Sequence, residues 1–265
     1  MFNKNQNLRQ RAYWAVAVFC CLLLFSGWLH GKGSRTTSYH FNAPATTPSG
    51  QINSVPLPAP PLPGRANNPT AVLLEKVFLP APFTPQAPTA NWDELHNEAC
   101  EEAVAIMAGS YFSSSTQANL APDTVETELA KLTAWQDKTF GYHLDTTSAE
   151  TARMMGAVYG LHTRLLDNFT EQDIKLALSA GKLVAISENG RRLNNPYYKQ
   201  PGPVHHMLLL KGYGPGGNFI TNDSGTKRGL NYPYDFQTLY AAAADWSHPA
   251  GTVDDSKKIA IEIWK

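Results

Sequence analysis

Cys100 is the one cysteine outside an apolar run near the N-terminus, and it sits in the stretch WDELHNEACEEAVAIMAGSYF. Cys100, Ala103, Val104, Met107 and Tyr111 recur at steps of three and four, which predicts a helix that presents them on one face and begins at or near the cysteine. A thiol at a helix start meets the positive end of the dipole and free backbone N–H groups, and both favour the nucleophilic thiolate. Glu101 and Glu102 work against this, because carboxylates beside a thiol raise its pKa, so a nucleophilic Cys100 needs an imidazolium partner. The blander alternative is a buried structural cysteine, the commoner fate of a single thiol.

The partner has two candidates in PVHHMLLLKGYG. His205 and His206 are neighbours at the mouth of an apolar strand, so the pleat turns them to opposite faces and only one can meet Cys100. The run Met207–Leu210 is apolar throughout, and alternation alone does not choose between them. Downstream, in FITNDSGTKRG, Asp223 ends a short strand where a carboxylate could hold the second ring nitrogen of a histidine. Asn222 could do the same from the other face, and an Asx turn is the structural alternative for Asp223. Upstream, Gln86 in PFTPQAPTANW offers an amide that could donate to an oxyanion together with the Cys100 N–H.

These residues need elements to hold them. AVLLEKVFL reads as a leading strand. Asp123 can cap a helix running to about Phe140, Ser148 opens a second, and Thr170 with Gln172 and Asp173 starts a third that ends at Gly181. KLVAISEN, HMLLLKGYG and NFITND then read as strands, YDFQTLYAAAADW as a helix and KKIAIEIWK as a closing strand. Helices first and sheet second predict an α+β fold.

Other chemistries find little support. Lys plus Arg and Asp plus Glu balance at 22 each, and the body of the chain lacks the basic footprint of a nucleic-acid binder. His30, His40, His96, His143, His162 and His248 are scattered, with neither an HExxH pattern nor close Cys/His spacing, so no metal set is expected. GYGPGGN is a turn between strands rather than a phosphate cradle. With Cys20 and Cys21 in the apolar run, no intrachain disulfide framework can form in the body.

Ala12–Leu29 carries no charge and is long enough to span a bilayer core. Lys4, Arg9 and Arg11 precede it against Lys32 and Arg35 after it, which favours a cytoplasmic N-terminus and an extracytoplasmic body. A cleaved signal peptide is the rival, but FSGWLHG is bulky where a small-residue cleavage site belongs. The expected organisation is a short cytoplasmic segment (1–11), a signal-anchor (12–29), a Pro-rich linker containing VPLPAPPLPG (30–70) and a domain from 71 to 265.

Taken together, PFTPQAP, ACEEAVAIM, GPVHHMLLLKGY and FITNDSGTKRG resemble the C39-like peptidase family, across roughly Ala71–Lys265. The resemblance implies a papain-like fold and a bacterial cysteine peptidase in which Cys100 is the nucleophile, one histidine of the pair the base, Asp223 its orienting carboxylate and Gln86 the oxyanion amide. In that family the catalytic histidine abuts the apolar strand and a Gly-aromatic pair closes it. His206 fits this spacing to Gly212-Tyr213, and a residue within the sheet is held more rigidly than one in the preceding loop. The base is therefore assigned to His206. One departure is that the family's Cys-Gly-Pro is here Cys100-Glu101-Glu102. The function expected is a membrane-anchored, extracytoplasmic hydrolase of peptide or protein substrates that uses no cofactor. Acyl transfer through the same thioester and an inactive papain-fold binding domain are the alternatives.

Overall fold

The computed structural model describes residues 72–265. The expected anchor at 12–29, and the linker up to residue 70, lie outside them. Among the described residues no helix is long and apolar enough to cross a membrane.

The fold is α+β, built on an antiparallel sheet of seven strands. These are β1 (Val77–Phe78), β2 (His162–Asp167), β3 (Leu183–Glu188), β4 (His206–Tyr213), β5 (Asn218–Asp223), β6 (Tyr232–Asp235) and β9 (Ile259–Trp264). They run in the order β2-β9-β3-β4-β5-β6, with the short β1 alongside β4. A small hairpin, β7 (Asp245–Ser247) and β8 (Thr252–Asp254), stands apart from the sheet. The helices are α1 (Glu94–Asn97), α2 (Cys100–Phe112), α3 (Pro122–Phe140), α4 (Ser148–Tyr159), α5 (Glu171–Ser179) and α6 (Phe236–Ala242).

Local sequence sets most helix ends. Thr147 and Glu150 form a reciprocal capping box at the start of α4, and Thr170 and Asp173 form another at α5. Gly141 and Gly160 close α3 and α4 in the left-handed conformation that glycine adopts without a Cβ penalty. Helix α3 begins one residue before Asp123, which sits in its first turn, with Pro122 ahead of it.

Strands β3 and β4 are buried on both sides, and the alternation of the central strands sorts two cores. Leu183, Ala185, Met207, Leu209, Ile261 and Ile263 face α2, α3 and α4, together with Cys100, on what is here the first face. Val184, Ile186, Leu208, Leu210 and Ala260 face α5 and α6 on the second. Helix α2 is wrapped by its neighbours: Cys100–Gly109 are all buried, so the one-sided stripe expected from the sequence is instead a helix buried all round. Gly109 permits this crowding, since a Cβ there would lie 2.8 Å from the Tyr159 ring of α4.

Two expectations are corrected here. Of AVLLEKVFL only Val77–Phe78 pairs as a strand, and Val72, Leu73 and Leu74 are exposed. The order of helices before sheet is also not strict, because β2 precedes α5. Strand β2 pairs only with β9 at the sheet edge, and its HTRLLD pattern is mostly exposed, so it lacks the apolar alternation by which strands are read.

Candidate active site

The loop before Cys100 is pinned from three directions. Asp93 caps α1 by accepting from the His96 backbone N–H and lies 2.6 Å from His96 Nδ1. His96 Nε2 is 3.0 Å from Glu126 of α3. Burial disfavours a charged His96, but Glu126 and Asp93 together outweigh it and raise its pKa. Gln86 Nε2 donates to the carbonyls of His96 at 2.8 Å and Asn97 at 3.0 Å. The Gln86 amide hydrogens are thus both committed to holding this loop, and no donor is left for the oxyanion role expected of it.

Cys100 is the first residue of α2 and 3% exposed. Ala99, the N-cap, supplies no side-chain cap. The Cys100 thiol donates to Glu101 Oε2 at 2.9 Å. Glu101 Oε1 accepts from the Thr146 N–H at 2.7 Å and lies 3.4 Å from His205 Nδ1. One ligand-capable atom each from Cys100 (Sγ), Glu101 (a carboxylate oxygen) and His205 (a ring nitrogen) lies within 4.8 Å of the other two. His205 itself is fixed on both sides: Nδ1 is 2.9 Å from Asp145 and Nε2 is 2.9 Å from the Ser187 hydroxyl of β3. Trp246 covers its ring at 5.5 Å between centroids.

The electrostatics of this cluster are anionic. Burial pushes the Cys100 thiol well above its ordinary value, and Glu101, Asp145 and Glu102 push the same way. The acidified thiol expected from the helix start is therefore corrected: the dipole loses to desolvation and to the adjacent carboxylate. Burial lowers the His205 pKa, but Glu101 and Asp145 more than compensate, and the net direction is upward. Glu98, at the end of α1, is pushed up to about 7 by burial and by Asp145. At rest the site thus holds its protons, a neutral thiol beside an imidazole that favours its charged form.

The two neighbouring histidines part company at the pleat. His205 shares the first face with Met207, Leu209 and Cys100; His206 shares the second with Leu208 and Leu210. This reverses the side expected for each. The assignment to His206 rests on the family's spacing and on a rigid place within the sheet, neither of which fixes the face; β4 also carries a bulge near its far end, where Leu210 pairs with Thr221 and Gly212 with Ile220. The regular register of Met207–Leu210 against β3 puts His205 on the Cys100 side and His206 on the other.

Asp223 does pair with a histidine, but with His206, 2.9 Å from Nε2. It is a hub on the second face. Its Oδ1 also accepts from the Gly225 N–H, and its Oδ2 accepts from Asn195, Tyr198 and Tyr234 at 2.7–2.9 Å. Burial alone would raise the Asp223 pKa, yet His206 and the two tyrosine hydroxyls hold it below the usual carboxylate range. Glu188, cross-strand from His206, is fully buried with neither oxygen hydrogen-bonded, and burial pushes its pKa well up. Asn222, weighed as an orienting residue, is spent on the carbonyls of Ala81 and Pro82. Of the four residues expected to form the site, the structure joins His206 to Asp223 and leaves Cys100 with Glu101, His205 and, through His205, Asp145. A cleft of about 730 Å³ opens beside Gln86, Trp92, Asn97, Tyr197 and Tyr198.

Asp145 was invisible to sequence reading because it reaches His205 across 60 residues from a loop with no motif. Glu101 was visible as a problem for the thiol, and it is one.

No family model matches the chain, and no curated protein does. Among solved structures, a crystal structure of a provisionally assigned C39-like peptidase from Bacillus anthracis is similar at 17% identity and a TM-score of 0.46, over 72% of this chain and 98% of that one.

Proposed function

We propose that this chain is a thiol-dependent hydrolase of amide bonds, a cysteine peptidase in which Cys100 is the nucleophile and His205 its proton partner. The observation that carries the reading is the pairing across the core: a cysteine at the first residue of a helix, and a histidine at the mouth of the adjacent strand whose ring is held by Ser187 on one side and Asp145 on the other. This replaces the His206–Asp223 pair in the catalytic role. Asp145 takes the orienting part, and the Cys100 N–H at the uncapped start of α2 the oxyanion part. His205 in its neutral form takes the thiol proton, and the thiolate attacks the carbonyl carbon. The His205 imidazolium then protonates the leaving amine. In the second half the neutral imidazole takes a proton from water as the hydroxide attacks the thioester, and the imidazolium so formed returns it to the departing thiolate. Attachment to a membrane through 12–29, an extracytoplasmic site and a peptide substrate belong to the same proposal and rest on the sequence.

The burial of Cys100 favours a second reading, a non-catalytic scaffold that has kept the pair. A peptidyl electrophile selective for activated cysteines, followed by mass mapping, tests both. The hydrolase reading expects the adduct on Cys100. A folded chain that stays unmodified at Cys100, while the denatured chain is labelled there by iodoacetamide, establishes the scaffold instead.

A further inference from the structure

We propose that Cys100, Glu101 and His205 form a binding site for a zinc-like divalent transition metal, and that the metal-bound chain is one with its thiol withdrawn from chemistry. The three residues converge their donor atoms to within 4.8 Å of one another, all of them buried. The donor set is one sulfur, one imidazole nitrogen and one carboxylate oxygen, the mixture that suits zinc rather than calcium or magnesium. Bonds of about 2.0–2.3 Å around a tetrahedral ion set its ligands roughly 3.5 Å apart. The thiol already lies 2.9 Å from one Glu101 oxygen, and Nδ1 3.4 Å from the other, so contraction by about an ångström at the longest edge completes the set.

Two further observations point to a cation. Ser187 Oγ is 2.9 Å from His205 Nε2 and is fully buried. It can accept the Nε2 hydrogen and leave Nδ1 with its lone pair toward Glu101 and Cys100, the arrangement in which a metal-bound histidine is oriented by its other nitrogen. Asp145, 2.9 Å from Nδ1 and the most exposed of the group, can supply a fourth ligand or hold a water in that position. Second, two carboxylates flank His205 Nδ1, Asp145 at 2.9 Å and Glu101 at 3.4 Å, and the thiol lies 2.9 Å from the other Glu101 oxygen. Buried negative charge of that kind calls for a neutralising partner. The thiol gives up its proton to solvent on binding, and the metal takes its place against the sulfur. This inference does not depend on the hydrolase reading, since a scaffold would bind the ion as well.

Cobalt(II) titration of the reduced full chain tests it, because a cobalt–thiolate bond has a charge-transfer band and a tetrahedral ion has intense visible bands. The full chain is also prepared as C20S/C21S, which removes the other two thiols. The expected result is a saturable spectrum in both proteins that zinc displaces, abolished as charge transfer in C100S and weakened at least tenfold in affinity by His205→Gln. C100S is checked for native circular dichroism; should it fail to fold, protection of Cys100 from iodoacetamide by zinc in the C20S/C21S chain gives the same information. A charge-transfer band that is absent, or that disappears with Cys20 and Cys21, or a Cys100 that zinc does not protect, overturns the proposal.

Discussion

Replacing Glu101 with glutamine should wake the Cys100 thiol. Glu101 Oε2 holds the thiol proton at 2.9 Å, so a thiolate would face a carboxylate at that distance. With an effective dielectric of about 20, unit charges separated by 2.9 Å repel by about 6 kcal/mol. At about 1.4 kcal/mol per tenfold, that suppresses the thiolate population by about four decades. Glutamine keeps an oxygen for the Thr146 N–H and turns an N–H toward sulfur, so the repulsion becomes a hydrogen bond. A less basic thiolate is also a weaker nucleophile, with a Brønsted slope of about 0.4–0.5, so roughly half of the gain reaches the rate. Cys100 in Glu101→Gln is therefore expected to react with iodoacetamide about ten- to a hundredfold faster at pH 7 than in the parent chain, measured by mass spectrometry of the Cys100 peptide. Alkylation that is unchanged or slower in a variant with native circular dichroism would refute the reasoning that Glu101 is what suppresses the thiol.

Two further predictions concern the second face. Glu188 has its folded pKa raised by burial above the ordinary 4.5, so its contribution to stability is complete below that value and is lost as pH rises through the folded pKa. Glu188→Gln removes the titration, and its melting temperature relative to the parent should climb between pH 4 and pH 8; a difference that stays constant with pH contradicts the assignment. A Cβ at Gly225 would lie 2.9 Å from Tyr198 and 3.0 Å from His206, so Gly225→Ala should cost about 1–3 kcal/mol in urea unfolding through overpacking of the Asp223 hub, and a neutral substitution would mean the hub is looser than described.

Much of this architecture could be read from the chain. The caps at Thr147 and Thr170 and the stops at Gly141 and Gly160 are short-range signals, and the helices they bound lie within a residue or two of expectation. The strands β3, β4, β5 and β9 announce themselves as apolar runs. The candidate site was legible in its types and only half legible in its partners. Cys100 and the histidine pair were singled out, but Asp223 was expected to orient the base beside the thiol and instead pairs with His206 on the other face, and an apolar run gives no alternation by which to choose the histidine. Asp145 and Ser187 join His205 only through tertiary folding, from a loop and from a neighbouring strand. Gln86 was found for its amide, and its commitment to the carbonyls of His96 and Asn97 is a property of the folded loop.

The central claim is that His205, and not His206, supports the Cys100 thiolate. The rate of Cys100 alkylation as a function of pH, in His205→Gln and His206→Gln variants that retain native circular dichroism, tests it most directly. Loss of the His205 imidazolium removes a positive charge beside the thiol, so the first variant should react at least tenfold more slowly at pH 7, with its profile displaced to higher pH. His206 lies on the far side of the sheet, and its variant should stay within about threefold of the parent, a gap of less than 1 kcal/mol. Slowing confined to His206→Gln would contradict the account and return the thiol's partner to the Asp223 side of the strand.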